Sequence, residues 1–261
     1  MYEHHKKAIE TITNKLESRS EVLGVILGGS VAHGFANEKS DIDLMIVLSD
    51  QEYERAKKAA NISYYETEAT PYEEGYVDGK YTSAAFIKRV IESGSEPARF
   101  AYKDAIVTYS EIPGLEQLVK DAARYPVERK QENMVKFYAQ FEAWKWYYYE
   151  GLKRSNEYLM DFSLSNYVLF AGRLILAYNE TLYPYHKWFL RVLESVEQKP
   201  AGLLDQISGV LKKKDSESVE ALYNSIASFH NWTASDKHWS THFMLDSELN
   251  WLDGPVPVAD L

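Results

Sequence analysis

Two aspartates separated by one residue, Asp41 and Asp43, follow a Gly28-Gly29-Ser30 turn after ten intervening residues. A glycine pair at the end of an apolar segment lets backbone amides approach an anion with no Cβ in the way, and the Ser30 hydroxyl adds a donor as it opens the next helix. From Asp41 to Leu48 the chain alternates and then becomes apolar. On a strand, the period of two aims Asp41, Asp43 and Met45 at one side and Ile42, Leu44 and Ile46 at the other. Two carboxylates held that close repel unless something neutralises them, and a hard divalent cation with oxygen ligands is the usual solution. Magnesium is the natural candidate, because it keeps waters and completes its shell with substrate phosphates, for which the glycine turn is the second half of the site.

The elements that must position these residues are legible around them. Val22-Leu23-Gly24-Val25-Ile26-Leu27 reads as a buried strand running into the turn, preceded by a helix from about His5 to Ser18. A short helix follows Ser30. Further helices are expected over Gln51 to Ala60 and Ala84 to Ser93, then a strand from Ala105 to Tyr109 and another helix from Pro113-Gly114. Around Tyr125-Pro126 the pattern becomes almost entirely helical, which places a domain boundary between 124 and 125.

The pattern apolar-Gly28-Gly29-Ser30, a gap, then Asp41-apolar-Asp43-apolar resembles the signature of the DNA polymerase β-type nucleotidyltransferase superfamily. That resemblance implies a third carboxylate on a later strand, and Asp78 in Glu74-Gly75-Tyr76-Val77-Asp78-Gly79-Lys80-Tyr81 is the best match. On a strand, Tyr76, Asp78 and Lys80 share a face. Asp78 would then join the metal cluster or take the acceptor's proton, with Lys80 near the phosphates. The competing reading makes Asp78-Gly79 a hairpin turn. Glu66, Glu68, Glu73 and Glu74 are the other acids in reach.

The resemblance implies catalytic and metal-holding roles for Asp41, Asp43 and Asp78, with two Mg2+ ions during turnover. It assigns the phosphates of a nucleoside triphosphate, ATP first among them, to Gly28, Gly29, Ser30 and Lys80. The second half, helical and attached to a small mixed sheet, resembles the aminoglycoside and lincosamide nucleotidyltransferase branch. The expected class is therefore α+β: residues 1–124 a nucleotidyltransferase domain, residues 125–261 a helical bundle. The implied reaction moves a nucleoside monophosphate to a hydroxyl of a small molecule, with release of pyrophosphate, and the branch resembled suggests an aminoglycoside-like or lincosamide-like antibiotic as that acceptor. The alternative is a regulatory, antitoxin-like module that keeps the fold without turnover.

Composition narrows the partners. The chain has 261 residues, 45% of them hydrophobic, enough for two cores, and no cysteine, which excludes a disulfide framework and thiolate chemistry. A net charge of -10 with no basic groove disfavours a polynucleotide acceptor and favours a small molecule. Met1-Tyr2-Glu3-His4-His5-Lys6-Lys7 does not resemble a signal peptide, and no apolar run reads as a membrane span, so a cytoplasmic monomer or homodimer is expected.

In the second half Met134, Phe137, Phe141, Trp144 and Tyr148 recur at helical spacing, and Tyr158 to about Tyr178 is apolar almost all round. Later helices are expected over Tyr185 to Glu197, Leu203 to Lys213 and Ser216 to Trp232. Lys187 is a candidate phosphate contact, and Arg173 needs an anionic partner if buried. Arg99 and Lys103 share a helix face as either a triphosphate clamp or a surface pair. Glu142 and Lys145 read as an intrahelical ion pair before any acceptor-side role. His33 falls close to the glycine turn. His230, His238 and His242 lack the intervening acid of a His-Glu-x-x-His zinc motif and do not read as a zinc site.

Overall fold

The computed structural model describes residues 1–233, 237–252, 254, 256 and 258. Its contacts divide the chain into two units, Met1–Tyr125 and Pro126–Leu261.

The first unit runs α1 (Glu3–Glu17), β1 (Val22–Leu27), α2 (Gly29–Ala32), β2 (Ile42–Leu48), α3 (Asp50–Lys58), β3 (Ser63–Glu66), β4 (Val77–Ser83), α4 (Ala84–Ser93), α5 (Glu96–Phe100), β5 (Ile106–Ser110) and α6 (Leu115–Ala122). The five strands form one sheet in the order β3-β4-β2-β1-β5. Only β2 and β4 are parallel; every other pair is antiparallel. Alternation along the strands sorts side chains into two cores. Val25, Leu27, Ile42, Leu44, Ile46 and Val77 meet Ala8, Ile9, Ile12 and Leu16 of α1 on one face. Ile26 and Val47 meet Ile87 and Val90 of α4 and Leu115, Val119 and Ala122 of α6 on the other. Asp43 shares the second face but lies at the lip of the sheet.

Serines start three of the helices: Ser49 Oγ accepts from Glu52 N–H, Ser83 Oγ from Phe86 N–H and Ser95 Oγ from Ala98 N–H. In the first unit, an added strand and a buried arginine differ from the sequence expectation. The edge strand β3, Ser63-Tyr64-Tyr65-Glu66, was not anticipated, because four residues with two exposed positions carry too little pattern to read. Arg99 is neither a phosphate clamp nor a surface residue. It is 3% exposed, and its guanidinium donates to the carbonyls of Gly94, Ile91 and Arg124 at 3.2, 2.6 and 3.3 Å.

After a 3-10 turn at Val127–Arg129, the second unit comprises α7 (Lys130–Arg154), α8 (Glu157–Tyr178), α9 (Phe189–Ser195), α10 (Leu203–Lys213), α11 (Ser216–Phe229) and α12 (Trp239–Phe243), with no strand among its described residues. The aromatic spacing of α7 becomes a stack: the Phe141 ring lies parallel to Tyr167 of α8 at 4.5 Å and to Tyr223 of α11 at 5.7 Å. Gly172 lets α8 approach α9, since a Cβ there would lie 2.2 Å from Phe189 Cζ. The Arg173 guanidinium lies over the rings of Phe137 (4.2 Å) and Tyr183 (4.4 Å). The helix expected over Tyr185 to Glu197 is shorter, because Tyr185 takes a positive φ of 68° and Val196 is extended. Contrary to the sequence reading, α8 is long and apolar enough to cross a membrane; half of its most apolar stretch is buried inside the protein, as in a core helix.

Burial holds the imidazoles of His5 and His33 below their usual 6.5, with neighbouring His4 adding to the effect at His5 and Asp104 opposing it at His33. The folded state then binds fewer protons than the unfolded chain, so this contribution to stability is complete above pH 6.5 and falls as the pH drops below it. The thermal midpoint of the wild-type protein is expected to fall between pH 7.5 and 5.5, and the His5→Gln/His33→Gln double variant to show a shallower slope over that interval, measured by circular dichroism.

Candidate functional site

The site is built where β1 ends beside the start of β2. Gly28 N–H donates to the Asp43 carbonyl at 2.9 Å, which locks the turn to the carboxylate strand. Gly29 has φ of 59°, and a Cβ there would lie 1.7 Å from Asp43 Oδ2. Only glycine leaves room for the carboxylate against the turn. Ser30 is 5% exposed, and its Oγ is buried with no hydrogen-bond partner among the described residues.

The parallel pairing of β2 with β4 brings in the third acid. Ile42 is opposite Val77 and Asp43 is opposite Asp78, so the last two side chains are neighbours on one face. Asp78 and Gly79 therefore belong to a strand and not to a hairpin turn. Asp41 lies one residue before β2, beside Tyr76, whose carbonyl accepts from Ile42 N–H at 3.0 Å. The Asp41 carboxylate is the main cause that pushes the Tyr76 phenol up to about 12, with smaller contributions from burial, Asp43 and Asp78. On the edge strand Tyr65 is opposite Asp78, and its exposed ring lies 5.6 Å from that of Tyr76. Lys80 is two residues beyond Asp78 on the same face, exposed and opposite Met45.

The remaining candidates have the following surroundings. Lys39 pairs with Glu73 at 2.9 Å and Glu74 at 3.0 Å, and Lys15 with Glu66 and Glu68 at 2.6 and 2.9 Å, so these acids are engaged away from the aspartates. His33 follows α2, but its ring packs 4.6 Å from Phe100 with Nδ1 3.4 Å from Asp104 Oδ2. Lys187 belongs to the second unit, exposed, with Nζ 5.2 Å from the Trp188 ring centroid. The expected Glu142–Lys145 ion pair does not form. Glu142 accepts from the hydroxyls of Tyr138 and Tyr223 at 2.5 and 2.7 Å, while Lys145 pairs with Glu220 at 2.9 Å above the Tyr223 ring. Tyr65 is the site neighbour that the sequence reading passed over, because it lies on the unforeseen strand β3; Tyr76 stood on the face of Asp78 but carried no role.

Among the described residues no three histidine, aspartate or glutamate side chains stand in a group that could hold a metal ion unaided. Magnesium does not require one, because one or two carboxylates combined with substrate phosphates and waters complete its octahedron. The donors present suit it: hard carboxylate oxygens on one face, an orphaned serine hydroxyl, and a glycine cradle that a Cβ would fill.

Residues 9–108 match the family model of the nucleotidyltransferase domain. The first unit is a nucleotidyltransferase domain, consistent with the polymerase β-type superfamily, and the protein is a transferase. Among solved structures, the chain is similar to a nucleotidyltransferase-like protein from Exiguobacterium sibiricum 255-15, with 11% sequence identity and a TM-score of 0.49 over 98% of this chain and 83% of that one. No curated protein matches it.

Gly29→Ala tests the cradle. With a positive φ and the carboxylate in the way, the variant is expected to lose about 1–3 kcal/mol of stability in urea unfolding. Nucleotidyl transfer should fall at least about tenfold as Asp43 is displaced.

Proposed function

We propose that the protein is a magnesium-dependent nucleotidyltransferase that moves a nucleoside monophosphate from a nucleoside triphosphate, ATP being the first candidate, to a hydroxyl of a small molecule. Aminoglycoside-like and lincosamide-like antibiotics are the acceptors to try first. The observation that carries this reading is the seat of Asp43 against Gly29 with Asp78 beside it in register. Two acids and a glycine turn thus share one small region of the sheet.

In this reading Asp41 and Asp43 hold the cation, and the amides of Gly28 and Gly29 and the free Ser30 hydroxyl receive the outer phosphates. Lys80, exposed on the same face, neutralises further phosphate charge. Asp78 lies beside the attacking oxygen and takes its proton. A bond forms between the acceptor oxygen and the α-phosphorus, the bond from that phosphorus to the bridging oxygen breaks, and pyrophosphate leaves. Magnesium, when bound, supplies charge neutralisation at the entering and departing oxygens. A small acceptor agrees with the net charge of -10, which repels a polyanionic acceptor at long range.

The assay is acceptor-dependent release of pyrophosphate from labelled ATP with Mg2+ and a panel of hydroxyl compounds. Asp43→Asn is expected to lower transfer by at least about a thousandfold while the circular dichroism spectrum stays that of the wild type and the thermal midpoint does not fall. Undiminished transfer by purified Asp43→Asn protein would refute the assignment.

A further inference from the structure

Across the sheet, the site residues follow one another strand by strand. The glycine turn closes β1, Asp43 is on β2, Asp78 on β4 and Tyr65 on the edge strand β3, in the reverse of the order β3-β4-β2-β1 in which those strands lie side by side. Tyr65 is directly opposite Asp78, and opposite residues of an antiparallel pair present their side chains to the same face. Tyr65 therefore lies one strand spacing, about 4.8 Å, beyond Asp78, and two beyond Asp43.

The other face of β3 is tied down. There the Tyr64 hydroxyl donates to Glu66 at 2.6 Å, Glu66 pairs with Lys15 of α1 at 2.6 Å, and the Tyr64 ring packs against the core. Gly79 lets the two strands close up, since a Cβ there would lie 3.1 Å from Tyr64 Cβ. Tyr65 is thus presented by an anchored strand, and it is still 67% exposed. Its ring meets that of the half-buried Tyr76 at 5.6 Å, with the planes 32° apart. A lone aromatic in solvent is ordinary, but two tyrosines set against each other beside Asp78 form an aromatic platform of the kind that lines small-molecule sites.

In-line displacement fixes which part of the reaction this platform serves. The departing pyrophosphate is on the side of the glycine turn, so the attacking oxygen enters from the opposite side, over Asp78. The body of the acceptor then extends the same way, over β3. A ring carrying the attacking hydroxyl is about as wide as one strand spacing, ~4.8 Å, and so meets the tyrosines with its face.

We propose that Tyr65, backed by Tyr76, is a specificity-determining residue that selects acceptors whose hydroxyl is carried on a ring over open-chain polyols. This rests on the transfer reaction and on the place given to Asp78 above. The apolar face of a ring leaves water against the phenol rings, and a ring gives up less conformational freedom on binding than an open chain does.

The test uses the full chain with ATP and Mg2+, and measures pyrophosphate release with kanamycin, lincomycin and myo-inositol as ring acceptors and with glycerol and sorbitol as open chains. Wild type, Tyr65→Thr and Tyr65→Phe are compared. Threonine removes the ring while keeping a strong strand former at the edge, and phenylalanine keeps the ring without its hydroxyl. The wild type is expected to prefer a ring acceptor, and the ratio of kcat/KM for ring over chain to fall about fivefold or more in Tyr65→Thr, through the KM of the ring acceptor, and to be kept in Tyr65→Phe. A ratio unchanged in Tyr65→Thr, or lost as fully in Tyr65→Phe, would overturn the platform and leave the transfer reaction standing, as would a wild type that prefers open chains. A wild type that transfers to none of these compounds removes the transfer reading for both classes, and the platform with it.

Discussion

Asp43 and Asp78 are held side by side because β2 and β4 run parallel and in register from Ile42 opposite Val77 to Leu48 opposite Ser83. Like charges directly opposite on neighbouring strands oppose the pairing, by something on the order of 0.2–1 kcal/mol at an exposed position. The other face of the same strands more than offsets this. Ile42, Leu44, Ile46 and Val77 are almost wholly buried there against α1, and each buried aliphatic side chain contributes roughly 1.5–3 kcal/mol. The apolar face therefore holds the charged face together, and the repulsion remains available to be relieved by a bound cation.

In the second unit polar groups are resolved by a different route. Glu142, Glu220 and Lys145 are engaged by tyrosines and by one another across α7 and α11. Phe141, Tyr167 and Tyr223 stack beside them. A helix as rich in tyrosine as α7 can hold half-buried carboxylates because each phenol brings a donor along with its apolar ring.

Much of this was readable from the residues alone, and for definite reasons. The Gly28-Gly29-Ser30 turn, the strand carrying Asp43 and the aromatic face of α7 each depend on local periodicity or on a conformation that only glycine accepts easily. The helices over Ala84–Ser93 and Leu203–Lys213 have the bounds expected of them. What escaped depends on pairing across the chain. The strand β3 has meaning only beside β4, and the three carbonyls around Arg99 come from positions 91, 94 and 124. The exact neighbour of Asp43 was also beyond local reading, since a strand at Asp78 fixes a face but not a register. Glu142 and Lys145 were misread for the same reason: three-residue spacing permits an intrahelical pair, and helix α11 offered better partners.

Strand period also separates two kinds of length change in this domain. The segment from His33 to Asp41 connects α2 to β2 without belonging to a strand, and enlarging such a connection carries only a small entropic penalty, about 0.6 kcal/mol for each doubling. One extra residue between Asp43 and Leu48 would exchange the two faces on one side of the insertion, turning the aspartate toward α1 and Ile42 out of that core. Related chains should thus vary freely in how they travel from serine to aspartate and hardly at all in the seven residues that follow.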